Sequence, residues 1–211
     1  MAGADVIAWR LIRSIFRELE EDRSREIHVT DLVYECPRRA YYEKVYGYGV
    51  TSLQSAFVLW IGKKLHETGM DGCDHEVAVE GELGGVRVVG SIDELCEGGD
   101  LIVDKKTTRR IPRQPHEHHV LQVLIYALLL QKMGRRVPRR GAIVYIDVAN
   151  AETKSYEFPI TATALASVEK EVAPRARELA TALATGKPPK PRPGWLCNYC
   201  SYVRRCALDG E

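Results

Sequence analysis

Apolar residues recur at helical spacing from Val6 to Leu19, through Ile7, Leu11, Ile12, Ile15 and Phe16, and predict an amphipathic helix there. Thr30-Asp31 is a helix-start pair. The helix it opens would carry Leu32, Val33 and Cys36, then Ala40 and Tyr41, and end at Gly47 and Gly49. Pro37 lies inside that stretch, where a proline removes a backbone donor and disrupts a helix. Ser55 to Gly69 reads as another helix with its glycine near the C-terminus. The pattern then changes to strands. Glu76 to Glu80 alternates around Val77 and Val79, Val86 to Ile92 is rich in β-branched residues, and Leu101 to Asp104 is a short apolar run. Gly81 to Gly85 and Gly98-Gly99 punctuate them as turns. His116 to Met133 predicts a long buried helix closed by Gly134. Gly141 to Val148 and Lys154 to Ile160 predict two strands joined near Asn150. Thr161 to Thr185 predicts a helix capped by Thr161 or Thr163, and Pro188 to Pro193 a stiff connector.

Helices, a mostly antiparallel sheet, a helix, two strands and a helix make a mixed α/β class with a central sheet. The chain of 211 residues fits one domain, and its 45% hydrophobic and 28% charged residues are an ordinary soluble mixture. No apolar run approaches the roughly 18 residues a membrane helix needs, because Val120 to Leu130 is short and broken by Gln122. Asp5, Arg10 and Arg13 interrupt the N-terminal apolar stretch, so it does not read as a signal peptide. The expectation is a cytoplasmic protein with no membrane partner. Two Asn and four Gln are few for this length, and depleted amides suggest a source in a hot environment.

A net charge of +1 excludes a uniformly basic coat but leaves two basic tracks. Lys132, Arg135, Arg136, Arg139 and Arg140 form one, which reads equally well as a solvated face. Lys105, Lys106, Arg109, Arg110 and Arg113 form the other, which begins among candidate catalytic residues and suits a phosphate backbone.

Those candidates start with Asp93 and Asp104, each at the end of a predicted strand of one meander. Adjacent strands can bring both carboxylates to one edge of the sheet, and carboxylates suit magnesium and manganese. A lone strand-end Asp more often serves a turn. Lys106 changes that balance, because a period of two places it on the face of Asp104, where an ammonium can orient water or stabilise phosphate charge. Lys105 points to the other face, although its backbone carbonyl could complete a metal shell. His66 could add a nitrogen from the preceding helix. Gln122 and Tyr126, four apart on an apolar helix, are either a hydrogen-bonded core pair or a support for Lys106, a carboxylate or the substrate.

Gly62-x3-His66, Ser91-Ile92-Asp93, Asp104-x-Lys106 and Gln122-x3-Tyr126 together resemble the RecB-type exonuclease signature of the PD-(D/E)xK superfamily. The resemblance implies a restriction-endonuclease-like core with a mixed sheet flanked by helices. It implies metal ligation by His66, Asp93 and Asp104, a catalytic role for Lys106, supporting roles for Gln122 and Tyr126, and one or two Mn2+ or Mg2+ ions.

Cys197, Cys200 and Cys206 form a C-x2-C-x5-C run at the end of the chain, and Cys36 stands alone near its start. Clustered cysteines in a cytosolic protein suggest a metal rather than disulfides. The C-x2-C follows a proline-rich tail instead of opening a helix in a βαβ unit, which weighs against a thioredoxin-like motif. A four-ligand site needs one more thiolate than the run supplies. The Cys36-Pro37-Arg38-Arg39-Ala40-Tyr41-Tyr42 context with that distant run resembles the CRISPR-associated RecB-like exonuclease family (Cas-four) over residues 28 to 206. It implies an iron–sulfur cluster on Cys36, Cys197, Cys200 and Cys206, 4Fe–4S ahead of 2Fe–2S, with zinc as an alternative. Residues 1–54 and 186–211 would form that cysteine-stapled lobe, and 55–185 the nuclease core. Cys73 and Cys96 fall outside the pattern and read as ordinary core or loop cysteines, and Trp195 as a shield for the cluster.

His116, His118 and His119 could bind metal, face solvent or meet DNA phosphates, and Tyr41, Tyr42, Tyr46 and Tyr48 could stack on unpaired bases or pack beside the cluster. The resemblance implies a metal-dependent DNA exonuclease that prefers single-stranded ends, working beside CRISPR integrase proteins in spacer acquisition. The alternative is a non-catalytic iron–sulfur DNA-binding adaptor.

Overall fold

The period-two stretches pair into a six-stranded sheet in which β3 is the hub. The computed structural model describes residues 6–20, 26–47 and 53–209. Gly49 and Tyr48 lie outside the described residues, as does the side chain of Trp195. β2 (Cys73–Leu83) and β3 (Val86–Cys96) form a long antiparallel hairpin around Gly84-Gly85, whose φ angles of 64° and 78° suit glycine. The strands run further than their alternation predicts, since pairing across the hairpin carries through Gly81. The other edge of β3 is shared. Its start pairs in parallel with β1 (Ile27–His28), and its end pairs antiparallel with β4 (Leu101–Thr108). β5 (Arg140–Asp147) lies parallel to β4, and β6 (Glu152–Pro159) closes the sheet antiparallel to β5. The sheet is therefore mixed and the class α/β.

Helix α1 is Val6–Glu20, α2 is Val29–Leu32 and α3 is Pro37–Tyr46. Helix α4 is Leu53–His66, α5 is Glu117–Lys132, α6 is Ala162–Thr185 and α7 is Val203–Leu208. The single helix expected over residues 30–46 is two. Pro37 occupies the first turn of α3, where its missing N–H is not needed, and Cys36 becomes the N-cap. Thr161 caps α6 by accepting from the Ala164 amide at 3.2 Å.

Helices α5 and α6 pack on the sheet and on each other. The apolar face of α5 is fully buried, with Val123, Ile125, Leu128 and Leu129 all at 1% exposure or less. Gly90 permits that approach: a Cβ there would stand 2.8 Å from the Tyr126 ring and 2.9 Å from Val29. Helix α4 packs on β4 through Gly62, where a Cβ would lie 3.2 Å from Thr107 Oγ1. No helix of the described residues is long and apolar enough to cross a membrane.

The two chain ends meet. Arg38 is 6% exposed and donates to the carbonyls of Pro189 (2.6 Å), Cys206 (3.3 Å) and Asp209 (3.3 Å). Tyr41 donates to the Gly186 carbonyl at 2.8 Å, and Tyr42 to Asp209 Oδ2 at 2.9 Å.

One expectation is corrected: Cys73 and Cys96 are joined by a disulfide, because hairpin register sets them directly opposite one another. The basic run over 132–140 is largely consumed by acids from other elements. Lys132 pairs with Glu169, Arg136 and Arg139 with Asp100, and Arg140 with Glu97 and Glu157. Arg109, Arg110 and Arg113 are exposed and form no ion pair among the described residues.

Candidate active site and cysteine cavity

The ladder between β3 and β4 ends with Glu94 opposite Val103, so the strands part just where Asp93 and Asp104 come opposite each other. Antiparallel partners share a face, which puts both carboxylates on one side. The Lys105 amide bridges the gap by donating to Asp93 Oδ2 at 2.8 Å. Lys106, two positions beyond Asp104, donates from Nζ to Asp104 Oδ1 at 2.9 Å and lies 2.8 Å from Oδ2. His66, the last residue of α4, sets Nδ1 3.0 Å from Asp93 Oδ1. His66, Asp93, Asp104 and Lys106 are thus gathered at one point.

Asp104 is wholly buried, and Asp93 is 9% exposed. Burial pushes the Asp104 carboxyl up to about 6, with the charge of Asp93 adding to it and Lys106 opposing it. Burial would raise Asp93 as well, but the His66 hydrogen bond, the nearby cations and the Lys105 amide outweigh it and hold that group below its usual range. Although Asp104 Oδ2 lies close to Lys106, it has no hydrogen bond of acceptable geometry. A buried, underused carboxylate oxygen beside a second carboxylate and an imidazole is a donor set that fits a hard divalent cation. Among the described residues no group of three or more His, Cys, Asp or Glu stands ready to hold an ion. Lys106 and His66 lie against the carboxylate oxygens instead.

Gln122 and Tyr126 are 6% and 4% exposed, and Gln122 Nε2 donates to the Tyr126 hydroxyl at 3.0 Å. Burial raises the Tyr126 hydroxyl, and the charge of Asp104 raises it further, so the pair is both a core hydrogen bond and a neighbour of the carboxylates.

On the opposite face of the two strands lies a network that sequence reasoning missed. Glu94 is fully buried and Lys105 is 5% exposed. Lys105 Nζ donates to Glu94 Oε1 at 2.7 Å and to the Thr68 carbonyl at 2.5 Å. His75 Nδ1 lies 3.1 Å from Glu94 Oε1 and 3.1 Å from the Asp93 carbonyl. Lys105 therefore ties the turn just after His66 to the strand that carries Asp104, while its amide holds Asp93. Strand alternation puts Glu94 and Lys105 on the face opposite Asp93 and Asp104, but Thr68 and His75 reach them only through the fold.

The histidines cluster beside Lys106. Lys106 stands opposite Tyr145 in register, and the Tyr145 hydroxyl lies 2.7 Å from His119 Nδ1 and accepts from the His116 amide at 3.0 Å. The rings of His118 and His119 are 4.2 Å apart, and those of His116 and His118 are stacked at 5.5 Å. Tyr41 and Tyr42 are buried and unavailable for stacking from solvent, and Tyr46 is 44% exposed.

Cys36, Cys197, Cys200 and Cys206 are free thiols that line one cavity of about 330 Å³, together with Arg38, Arg39 and Tyr42. Burial raises the Cys200 thiol, and the proximity of Cys36 adds to this. Arg38 Nη1 reaches Cys206 Sγ at 3.6 Å. Four thiols from both chain ends thus line one small cavity.

Two carboxylates facing each other where β3 and β4 part, with a lysine two residues on, are matched by a family. The chain belongs to the PD-(D/E)XK nuclease superfamily, whose sequence profile matches residues 68–207. That span holds Asp93, Asp104, Lys106, Gln122 and Tyr126, and starts just after His66. The chain is 26% identical over 208 residues to the CRISPR-associated exonuclease Cas4 of Saccharolobus solfataricus, covering 90% of this chain and 94% of that protein. It also resembles the crystal structure of SSO0001, with a TM-score of 0.64 at 25% identity over 97% of this chain and 98% of that one.

Proposed function

We propose that this nuclease is a divalent-metal-dependent deoxyribonuclease that trims single-stranded DNA ends, in the setting of CRISPR spacer acquisition beside integrase proteins. The observation that supports it most is the convergence of His66, Asp93, Asp104 and Lys106 where β3 and β4 part. His66, Asp93 and Asp104, with the Lys105 carbonyl, would hold one or two Mg2+ or Mn2+ ions, which when bound lower the pKa of water and offset phosphate charge. Lys106 has an ammonium within 3 Å of Asp104, placed to hold the attacking water or a phosphate oxygen. The buried Gln122–Tyr126 hydrogen bond would fix the packing near Asp104. Cys36, Cys197, Cys200 and Cys206 would hold an iron–sulfur cluster with a bracing role. A non-catalytic adaptor could keep that lobe but would have no use for two opposed buried carboxylates and a lysine.

The test is cleavage of end-labelled single-stranded DNA by pure protein with and without Mn2+. Asp104→Ala should abolish Mn2+-dependent cleavage while DNA affinity is largely kept. Undiminished cleavage by that variant would overturn the assignment.

A further inference from the structure

Residues 67–72, between His66 and β2, are all exposed, so this segment has no apolar anchor of its own. It is tied to the sheet through Lys105 Nζ, which holds the Thr68 carbonyl, and through the Cys73–Cys96 bond, which fastens its far end to β3. β2 is an edge strand that pairs with β3. The pairs run from Val77 to Leu83 and again from Cys73 to His75, but Glu76, which would face Asp93, makes none and has a φ of 47°. That backbone conformation is strained for a residue other than glycine, and it sets Cys73-Asp74-His75 apart from the rest of the hairpin. None of these three residues is fully buried. Seven positions lead from His66 to Cys73 and three from Cys96 back to Asp93, while the direct path along the chain is 27. The bond therefore shortens the loop that closes when the His66 imidazole comes within 3.0 Å of the Asp93 carboxylate, and a shorter loop closes at lower entropic cost. Its two sulfurs are unequal. Cys96 is 5% exposed and packed with Val103 and Ala142, whereas Cys73 is half-buried, with its sulfur 3.9 Å from the carbonyl of exposed Asp71.

We propose that the Cys73–Cys96 bond is a thiol-responsive latch on the metal site. Closed, it holds residues 67–75 so that His66 meets Asp93; opened, it frees that segment and weakens binding of the divalent ion. The inference rests on the proposed metal-ligand role of His66 and Asp93 and adds a redox control to it. Disulfides with an accessible sulfur are the ones open to exchange. An external thiolate attacks Cys73 Sγ, the S–S bond breaks, and Cys96 leaves with the electron pair and takes a proton. A second external thiolate attacks the external sulfur of the mixed disulfide. Cys73 then leaves and is protonated in turn, and the two external thiols depart joined as a disulfide, having supplied two electrons and two protons. The change is local, because the pairs from Val77 to Leu83 and the Lys105–Glu94 ion pair lie outside the freed segment. Lys105 then holds that segment by the Thr68 carbonyl.

The experiment compares the oxidised full chain with the same chain opened anaerobically by dithiothreitol and then freed of the reagent, with alkylation and peptide mass identifying the released thiols. Mn2+ affinity is read by electron paramagnetic resonance, and amide hydrogen exchange is followed over 67–75. Opening should weaken Mn2+ binding by about tenfold and speed exchange over 67–75, while 77–83 keeps its protection. Reoxidation should restore both. Cys73→Ala combined with Cys96→Ala should show the weak affinity from the outset and no response to dithiothreitol. Cys36→Ser should respond as the wild type does, which separates the latch from the other thiols. Unchanged exchange over 67–75, or unchanged Mn2+ affinity, in a chain whose bond is open would overturn the latch. So would a response that survives in the doubly substituted chain, or a bond that dithiothreitol leaves intact. Cleavage of end-labelled single-stranded DNA with Mn2+ is scored in parallel: redox-dependent Mn2+ affinity without cleavage in either state would sink the nuclease reading alone, and cleavage with an affinity indifferent to the bond would sink the latch alone.

Discussion

Asp104 concentrates the site's chemistry in one buried carboxyl group. Its value near 6 lies above the ordinary carboxylate value, so the folded chain holds that proton more tightly than the unfolded chain does. Its contribution to stability is therefore complete below about pH 4 and is lost as pH rises through about 6. Without divalent metal, the wild type should lose on the order of 2–3 kcal/mol from this group between pH 4 and pH 8. Asp104→Asn should flatten that fall and melt higher than wild type at pH 8. Melting curves in chelator at both pH values check it, and an Asp104→Asn chain that melts lower at pH 8 would remove buried charge as the cause. Asp93, Asp104 and Lys106 were legible in the sequence because a strand repeats every two residues, so one lysine two beyond one aspartate must share its face. Glu94 and Lys105 were not, because their value as a pair depends on Thr68 and His75, which reach them only through the fold.

Between elements, the question is what keeps α4 and the two strands in register. Helix α4 touches β4 through Gly62, and its last residue must meet an aspartate on β3. Lys105 supplies the link, with its ammonium on the Thr68 carbonyl and its amide on Asp93. Lys105→Met alone would strip the buried Glu94 carboxylate of its ammonium and leave only His75 against it, a loss of about 3–5 kcal/mol. Combining Lys105→Met with Glu94→Leu should recover most of that stability, since an apolar pair fills the same space. Mn2+ affinity should stay about tenfold weaker in the double variant, because the tie from Thr68 is still missing. Circular dichroism melts and Mn2+ titration by electron paramagnetic resonance separate the two effects; wild-type Mn2+ affinity in the double variant would reduce the network to a structural brace. The helices and the hairpin were readable from periodicity and glycine positions. The Cys73–Cys96 bond was readable in principle, for a hairpin folded symmetrically about Gly84-Gly85 sets those two residues opposite each other. The split at Pro37 also follows a local rule, since proline is welcome in a first turn and not in an interior.

Across the whole molecule, the chain closes on itself around the cysteine cavity. Arg38 reaches Cys206 across 168 positions, and Tyr41 reaches Gly186 across 145. The sequence pointed to the four cysteines and held Arg38 within the Cys36 motif, but gave no sign of its role, since its partners are backbone carbonyls from the far end and leave no pattern of their own. Those hydrogen bonds are few, and although Tyr202 is buried against Tyr42, α7 itself has no buried residue, so the terminal segment is held by a slight apolar anchor. A group bonded to all four thiolates would close a very long loop, worth up to about 5 kcal/mol of unfolded-state entropy. Cys36→Ser should therefore lower the iron content of freshly purified protein and lower its melting temperature. Amide hydrogen exchange should rise across 187–209, while β3, β4 and α5 keep their protection, because β2, β3, β4 and β5 pack directly on α5. Unchanged exchange over 187–209 in an iron-free Cys36→Ser chain would mean that Arg38 and its carbonyl partners hold the ends together unaided, and that the thiol centre serves something other than bracing.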